Sequence, residues 1–400
     1  MKYYQDTETG QIYAYEDDFN PFESDIRTIP KTLTDRVKRK PTDTSVWYKE
    51  NWIEKSDAPS DYIEPTSSIP SYNPMWMAHL RPYSAIISDR KKQINFSLEQ
   101  INNNSYDGME LSEVVGTLPL NIEEGLDALI SYDGAIAIPQ CNAFPTRMDS
   151  IFKLNEILCS LLLGGVHVEV LHAHELMIGS LYKRKHLSAY SPSLHNQLRL
   201  NWASITERFQ PLMYPRVLDL NDLKRAFIEG QQVINILPQF SPFFLINGYT
   251  SLINQNNNDA LNNLWIVVEQ LTEILWVKIY EKNSYSEKVR KRHSELQHNI
   301  DKDHIFAKHE LLKLSEIINT KTYEILKRAR KTRNDLAHEG ISPKREVVYE
   351  LWSVLSQLFE VVTTIENISM RKLRVGEEIN WSIPPKINFE EWKEIVNTVK

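Results

Sequence analysis

Between Lys327 and Gly340 the chain reads KRARKTRNDLAHEG, a segment holding the residue types that act on phosphate esters without a metal. An imidazole, here that of His338, can take a proton from a hydroxyl or return one to a leaving oxygen near neutral pH. Arg333 is a permanent cation whose fork of donors matches phosphoryl oxygens and stabilises the charge that builds on them. Asn334, next along the chain, offers a neutral hydrogen-bonding group to the phosphate or to the imidazole. Lys327, Arg330 and Lys331 add charge that would hold flanking phosphates, an attraction that weakens with salt. RNA suits such a set because its 2′-hydroxyl is a built-in nucleophile. The products would be a 2′,3′-cyclic phosphate and a 5′-hydroxyl, and no metal or cofactor is needed.

These residues depend on one helix, predicted over 321–338 with Gly340 and Pro343 as stop signals. At about 100° per residue, Lys327, Arg330, Lys331, Asn334 and His338 lie on one face. Ile325, Ala329 and Leu336 lie on the opposite, core-facing side. Arg333 stands at the core's edge, about 140° around the axis from His338. The two can meet on one ligand only if the last turn unwinds before Gly340 or if a second copy of the helix supplies the missing group. A plainer role is also open: basic residues near a helix C-terminus offset its dipole and bond its last carbonyls.

Three further helices are predicted around it, over 259–281, 307–319 and 343–369, with a charged, histidine-bearing stretch over 283–309. Short connections between them read as a four-helix bundle. The run Arg333-Asn334-Asp335-Leu336-Ala337-His338 resembles the R-x4–6-H signature of HEPN domains, with a polar residue after the arginine. The helical context of 259–370 is similar to the Apea-like HEPN domains of bacterial anti-phage defence proteins. The resemblance implies a homodimer whose Arg333 and His338 form a metal-independent endoribonuclease site. It also implies abortive infection, with cellular or phage RNA (tRNA among the substrates) cut in response to a phage-derived trigger. Glu269 (WIVVEQLTEIL) resembles the acidic residue found in the family's first long helix and is a candidate for substrate binding. A second match to the signature, Arg292 to His298, falls in the charged stretch with little apolar support, so Arg333 and His338 are preferred. A bundle of the same fold that binds RNA without cutting it is the main alternative.

The remaining sequence bounds this reading. In 400 residues there are 42% hydrophobic and 25% charged residues, a composition that excludes disorder throughout and fibrous architecture. The net charge of −7 divides unevenly, about −8 over the first 258 residues and +1 from Asp259 onward. This excludes a uniformly basic nucleic-acid coat but allows a local basic patch. Lack of an apolar run long enough to cross a membrane, lack of a signal-like N-terminus, and a content of two cysteines, Cys141 and Cys159, predict a cytoplasmic protein. No Walker A, dinucleotide or G-x-S-x-G pattern is present.

The overall expectation is a mainly α fold: a loop-rich, acidic region over 1–110, an α+β sensing or regulatory domain over 111–258, and the helical bundle over 259–400. The polar stretch Asn254 to Asp259 marks the main boundary. Aromatic residues around Glu8-Thr9-Gly10 predict a hairpin within residues 1–20. That opening (YYQDTETGQIYAYEDD) resembles the start of some phage tail-fibre assembly proteins, which leaves a phage assembly-associated role as a second alternative. Helices are predicted over 83–103, 147–163, 193–209, 221–236 and 242–253, and a strand over Val166 to Val170. His167, His172, His174 and Glu175 read as part of a strand and turn rather than a metal site, for want of a third ligand at motif spacing. His293, His298, His304 and His309 read as solvated positions near the RNA cleft, and both cysteines as small buried hydrophobes.

Overall fold

A computed structural model describes residues 2–7, 12–15, 33–38, 45–48, 50–54, 56, 59, 74–103, 105, 107–122, 126–182, 185–191, 216–280, 286–300, 304–370 and 388–399. The predicted opening hairpin is present. β1 (Lys2–Asp6) runs antiparallel to β2 (Ile12–Tyr15), with Lys2 opposite Tyr15 and Gln5 opposite Ile12. β3 (Leu33–Thr34) adds to the other side of β1. A second hairpin, β4 (Ser45–Tyr48) with β5 (Asn51–Glu54), puts Trp47 opposite Trp52. Lys38 joins the two units: its N–H donates to Gln5 Oε1, its ammonium to Asn51 Oδ1, and its carbonyl accepts from Trp52 Nε1.

A six-stranded antiparallel sheet makes the fold mixed α+β rather than mainly α. The elements that follow in the chain are β6 (Pro74–His79), β7 (Ala85–Ile87), α1 (Leu98–Asn102), α2 (Gly108–Leu111), β8 (Val114–Pro119), β9 (Asp127–Ser131), β10 (Ala135–Pro139) and α3 (Arg147–Leu163). After a single 3₁₀ turn at Ala173–Glu175 come β11 (Met177–Tyr182), β12 (His186–Ser191), β13 (Val217–Asp219), α4 (Leu220–Asn235) and α5 (Pro242–Ile253). The sheet order is β12-β11-β6-β10-β9-β8. Its central strands are covered on both faces. Trp76, Ala78, Ile136 and Ile138 face the main core, while Met75, Met77, Ala135 and Ala137 face a smaller one with Met177 and Leu187. Strands buried on both sides lose the apolar–polar alternation by which a sequence announces them.

α3, α4 and α5 fall where the periodicity predicts them. α3 and α4 pack closely enough that a Cβ on Gly230 would lie 1.9 Å from the Ser160 carbonyl oxygen. Two local expectations are corrected. The helix over 83–103 is only α1; Ile86 and Ile87 belong to β7, which pairs in parallel with β13. Val166, Val168 and Val170 are buried in alternation but form no strand. Neighbouring N–H groups are satisfied instead by the Arg81 carbonyl (Glu169), Thr250 Oγ1 (Val170) and Asn155 Oδ1 (Leu171). The helix predicted over 193–209 lies outside the described residues.

The C-terminal part is helical: α6 (Asn257–Tyr280), α7 (Glu287–Ile300), α8 (Ile305–Leu314), α9 (Thr320–Glu339), α10 (Arg345–Thr363) and α11 (Phe389–Val399). α6, α8, α9 and α10 pack on one another. α7 occupies most of the charged stretch; Val289 and Leu296 give it an apolar stripe against Ala307 and Leu311 of α8. The main core runs without a break through Asn254 to Asp259, and α5 lies along α6 with Leu264 seated over Gly248. Tyr249 of α5 links front and back: its hydroxyl is 2.6 Å from His167 Nδ1 and its ring lies 4.9 Å from that of Trp352 in α10. Among the described residues no helix is long and apolar enough to cross a membrane.

Candidate functional site

α9 is fixed at both ends by its own sequence. At its start, Asn319 Oδ1 accepts from the Thr322 N–H at 2.8 Å, and the Thr322 hydroxyl donates to Gln357 of α10 at 2.9 Å. Thr322, Ile325, Leu326 and Ala329 are buried, which sets the rotation of the helix. At its end Gly340 adopts φ +70°, a left-handed conformation that glycine takes without steric cost. The Gly340 N–H donates to the Leu336 carbonyl at 3.1 Å, and the Ile341 N–H to that of Asp335 at 3.4 Å. The Gly340 bond, from the left-handed residue to the carbonyl four positions back, is that of an αL cap.

The helix is therefore unbroken past His338. The last turn does not unwind, so Arg333 and His338 remain about 140° apart around the axis and do not converge within one chain. His338 is exposed, and Arg333 and Asn334 are half-buried. None of the three has a hydrogen-bond or ion-pair partner among the described residues. Asn334 and His338, four residues apart, share a face as expected.

The predicted phosphate-holding residues do come together. Lys327, Arg330 and Lys331 line one cavity of about 370 Å³, with Arg328 and Glu324 as the other described lining residues. The sequence reading missed these last two: Arg328 is a full 100° from Lys327 on the helical wheel, and Glu324 bears the wrong charge for the pattern. Two of the cations are braced. Arg328 Nη2 lies 2.7 Å from Glu350 Oε2 of α10, and the Arg330 guanidinium rests over the Phe306 ring, 5.4 Å from its centroid. Lys327 and Lys331 are exposed and pair with no described carboxylate. Arg333, Asn334 and His338 do not line this cavity.

Glu269 has a structural engagement. Its Oε1 accepts from the indole N–H of Trp265 at 2.7 Å, satisfying the polar atom of a fully buried ring. The alternative arginine, Arg292, is committed to two carboxylates, Glu310 at 2.8 Å and Glu295 at 2.9 Å. It is thus less available to a phosphate than Arg333.

His309 corrects the expectation of a solvated cluster, because it is buried at 2% exposure. Its Nε2 lies 3.0 Å from Thr272 Oγ1 and its ring meets Trp265 edge to face. Burial first, and then the nearby charge of Arg330, push its imidazole down to about 3. The preceding residue, Lys308, is also buried and reaches Glu273 Oε1 at 2.5 Å. His293 packs on Trp276, whereas His298 and His304 are exposed. In the front part, the His172 and His174 rings stack 5.7 Å apart beside the 3₁₀ turn. Glu175 is held by Arg81 through contacts of 2.8 and 3.1 Å. Cys159 is buried, and burial raises its thiol well above the ordinary range; Cys141 is half-buried.

Comparison of the chain with family models, with curated proteins and with solved structures finds no match in any of the three.

Proposed function

We propose that the chain is a metal-independent endoribonuclease of HEPN type, active as a homodimer in the bacterial cytoplasm as part of an anti-phage response. In this reading α6, α8, α9 and α10 are the HEPN-like four-helix bundle, and α9 is the helix apposed to its copy. His338 of one protomer moves the proton of the 2′-hydroxyl or of the leaving 5′-oxygen. Arg333 of the other neutralises the developing phosphoryl charge, with Asn334 orienting the phosphate. Lys327, Arg330 and Lys331 hold the strand on either side. The acidic front part acts as sensor or restraint on the basic helix.

One observation carries the reading: an unbroken, capped α9 that presents Arg333, Asn334 and His338 with no partner among the described residues. Cations of a merely structural helix end commonly bond its last carbonyls, and here the cap is made by backbone N–H groups of Gly340 and Ile341 instead. The test is incubation of total RNA and of tRNA with the full-length protein in EDTA, beside His338→Ala and Arg333→Ala. Fragments with cyclic-phosphate ends from wild type alone are expected; intact RNA in every lane overturns the reading. The second reading, an RNA-binding scaffold, is favoured by the cation-lined cavity, which needs no cleavage to be useful. RNA retained on the protein and left intact would favour it.

A further inference from the structure

The cavity beside α9 has features that phosphate binding alone does not require. It is an open groove of about 370 Å³ along α9, wide enough to admit a nucleotide. Arg330 is backed on one side by the Phe306 ring and also lines the cavity. A guanidinium that lines a cavity is suited to meet a nucleobase, since guanidinium planes and bases stack readily. Lys327 and Lys331, one turn apart and unpaired among the described residues, are positioned for a phosphate. Against these cations stands one carboxylate, Glu324, exposed and with no described partner. An acid lining a phosphate cavity weakens anion binding unless it reads something else on the ligand. A carboxylate accepts two parallel hydrogen bonds from an edge carrying two adjacent donors. Among the common bases, guanine has such an edge, its ring N1–H and exocyclic amino group.

We propose that this cavity is a guanine-nucleotide site: the base stacks on Arg330, its Watson–Crick edge meets Glu324, and its phosphate is held by Lys327 and Lys331. The ligand is an unpaired guanosine of an RNA strand or a free guanine nucleotide. The site shares α9 with the proposed ribonuclease centre but does not depend on cleavage.

The test uses full-length protein carrying His338→Ala, so that RNA stays intact, in buffer with EDTA. Fluorescence anisotropy compares a short labelled oligouridine containing one central guanosine with the same oligomer lacking it. The guanosine oligomer should bind about tenfold more tightly, the size of one bidentate base contact. Adding Glu324→Gln should reduce that preference to about twofold or less, with little loss for plain oligouridine. Arg330→Lys, which keeps the charge and loses the plane, should weaken the guanosine oligomer selectively. Displacement by GDP identifies the free nucleotide as a ligand; a persistent guanosine preference that GDP does not compete for identifies the strand. Equal affinity for the two oligomers, or a preference that survives Glu324→Gln, overturns the proposal. Guanosine selectivity without RNA cleavage by the wild type would leave this site standing and remove the ribonuclease.

Discussion

His309 shows what one buried side chain does to the pH dependence of the whole chain. Folding holds its imidazole neutral down to about pH 3, against an ordinary value of 6.5. Between those values the unfolded chain binds a proton that the folded chain does not. Its contribution is fully present above pH 6.5 and is lost as the pH falls towards 3. From pH 7 to pH 5 the expected loss is about 2 kcal/mol. Glu113, held down to about 2 by Lys185 and Lys91, acts only in a lower window, below the ordinary carboxylate value of 4.5. Urea unfolding at the two pH values should therefore show His309→Gln losing most of the pH 7-to-5 difference; an unchanged difference would mean that His309 is not the group responsible. Glu269→Ala should cost about 1–2 kcal/mol of stability by orphaning the Trp265 indole N–H, and Glu269→Gln much less. Equal stability of both variants would contradict the structural role. Single residues were legible in the sequence where charge coincided with helical phase, as for Lys327 and Lys331, which line one cavity. They were not legible for Lys308 and His309, adjacent polar residues whose burial depends on partners 35 and 37 positions away, Glu273 and Thr272.

At the scale of elements, two glycines carry opposite constraints, one of backbone conformation and one of space. A Cβ at Gly340 would meet no atom within 4 Å, so Gly340→Ala should cost only the strain of its left-handed backbone, about 1 kcal/mol. Gly230 is the opposite case, with ordinary backbone but no space. Gly230→Ala must separate α3 from α4, and about 3 kcal/mol of destabilisation is expected. Thermal unfolding of the two variants should rank them in that order; the reverse ranking would contradict the packing described. The amphipathic helices α4, α9 and α10 were readable because one face is wet and the other dry. The extended run of Val166, Val168 and Val170 had the alternation of a strand, yet its polar groups are bonded by side chains and a loop carbonyl. Alternation reports burial, not ladder pairing. The central strands β6 and β10 were hidden for the converse reason: both of their faces are dry.

For the whole molecule, the sheet, α3 to α5 and the C-terminal helices share one continuous core, with Tyr249 bridging His167 and Trp352. Polar composition at Asn254 to Asp259 records a solvent-facing turn, while Leu252, Ala260 and Leu261 on either side are fully buried. A fragment beginning at Asp259 would expose the α6 surface that α5 covers, and limited proteolysis should degrade it far faster than the intact chain. The front from Trp76 onward and the basic α9 thus share one core.

If α9 works as proposed, Arg333 and His338 can act together only across two copies of it, because the capped helix holds them about 140° apart in one. Complementation tests it directly. Arg333→Ala and His338→Ala proteins are assayed on RNA in EDTA separately, then after co-refolding or co-expression. Neither alone should cleave, and the mixture should recover to about a quarter of wild type, since half the dimers are mixed and each holds one intact pair. Cleavage that is lost in both variants and not restored by mixing would contradict a site shared between protomers.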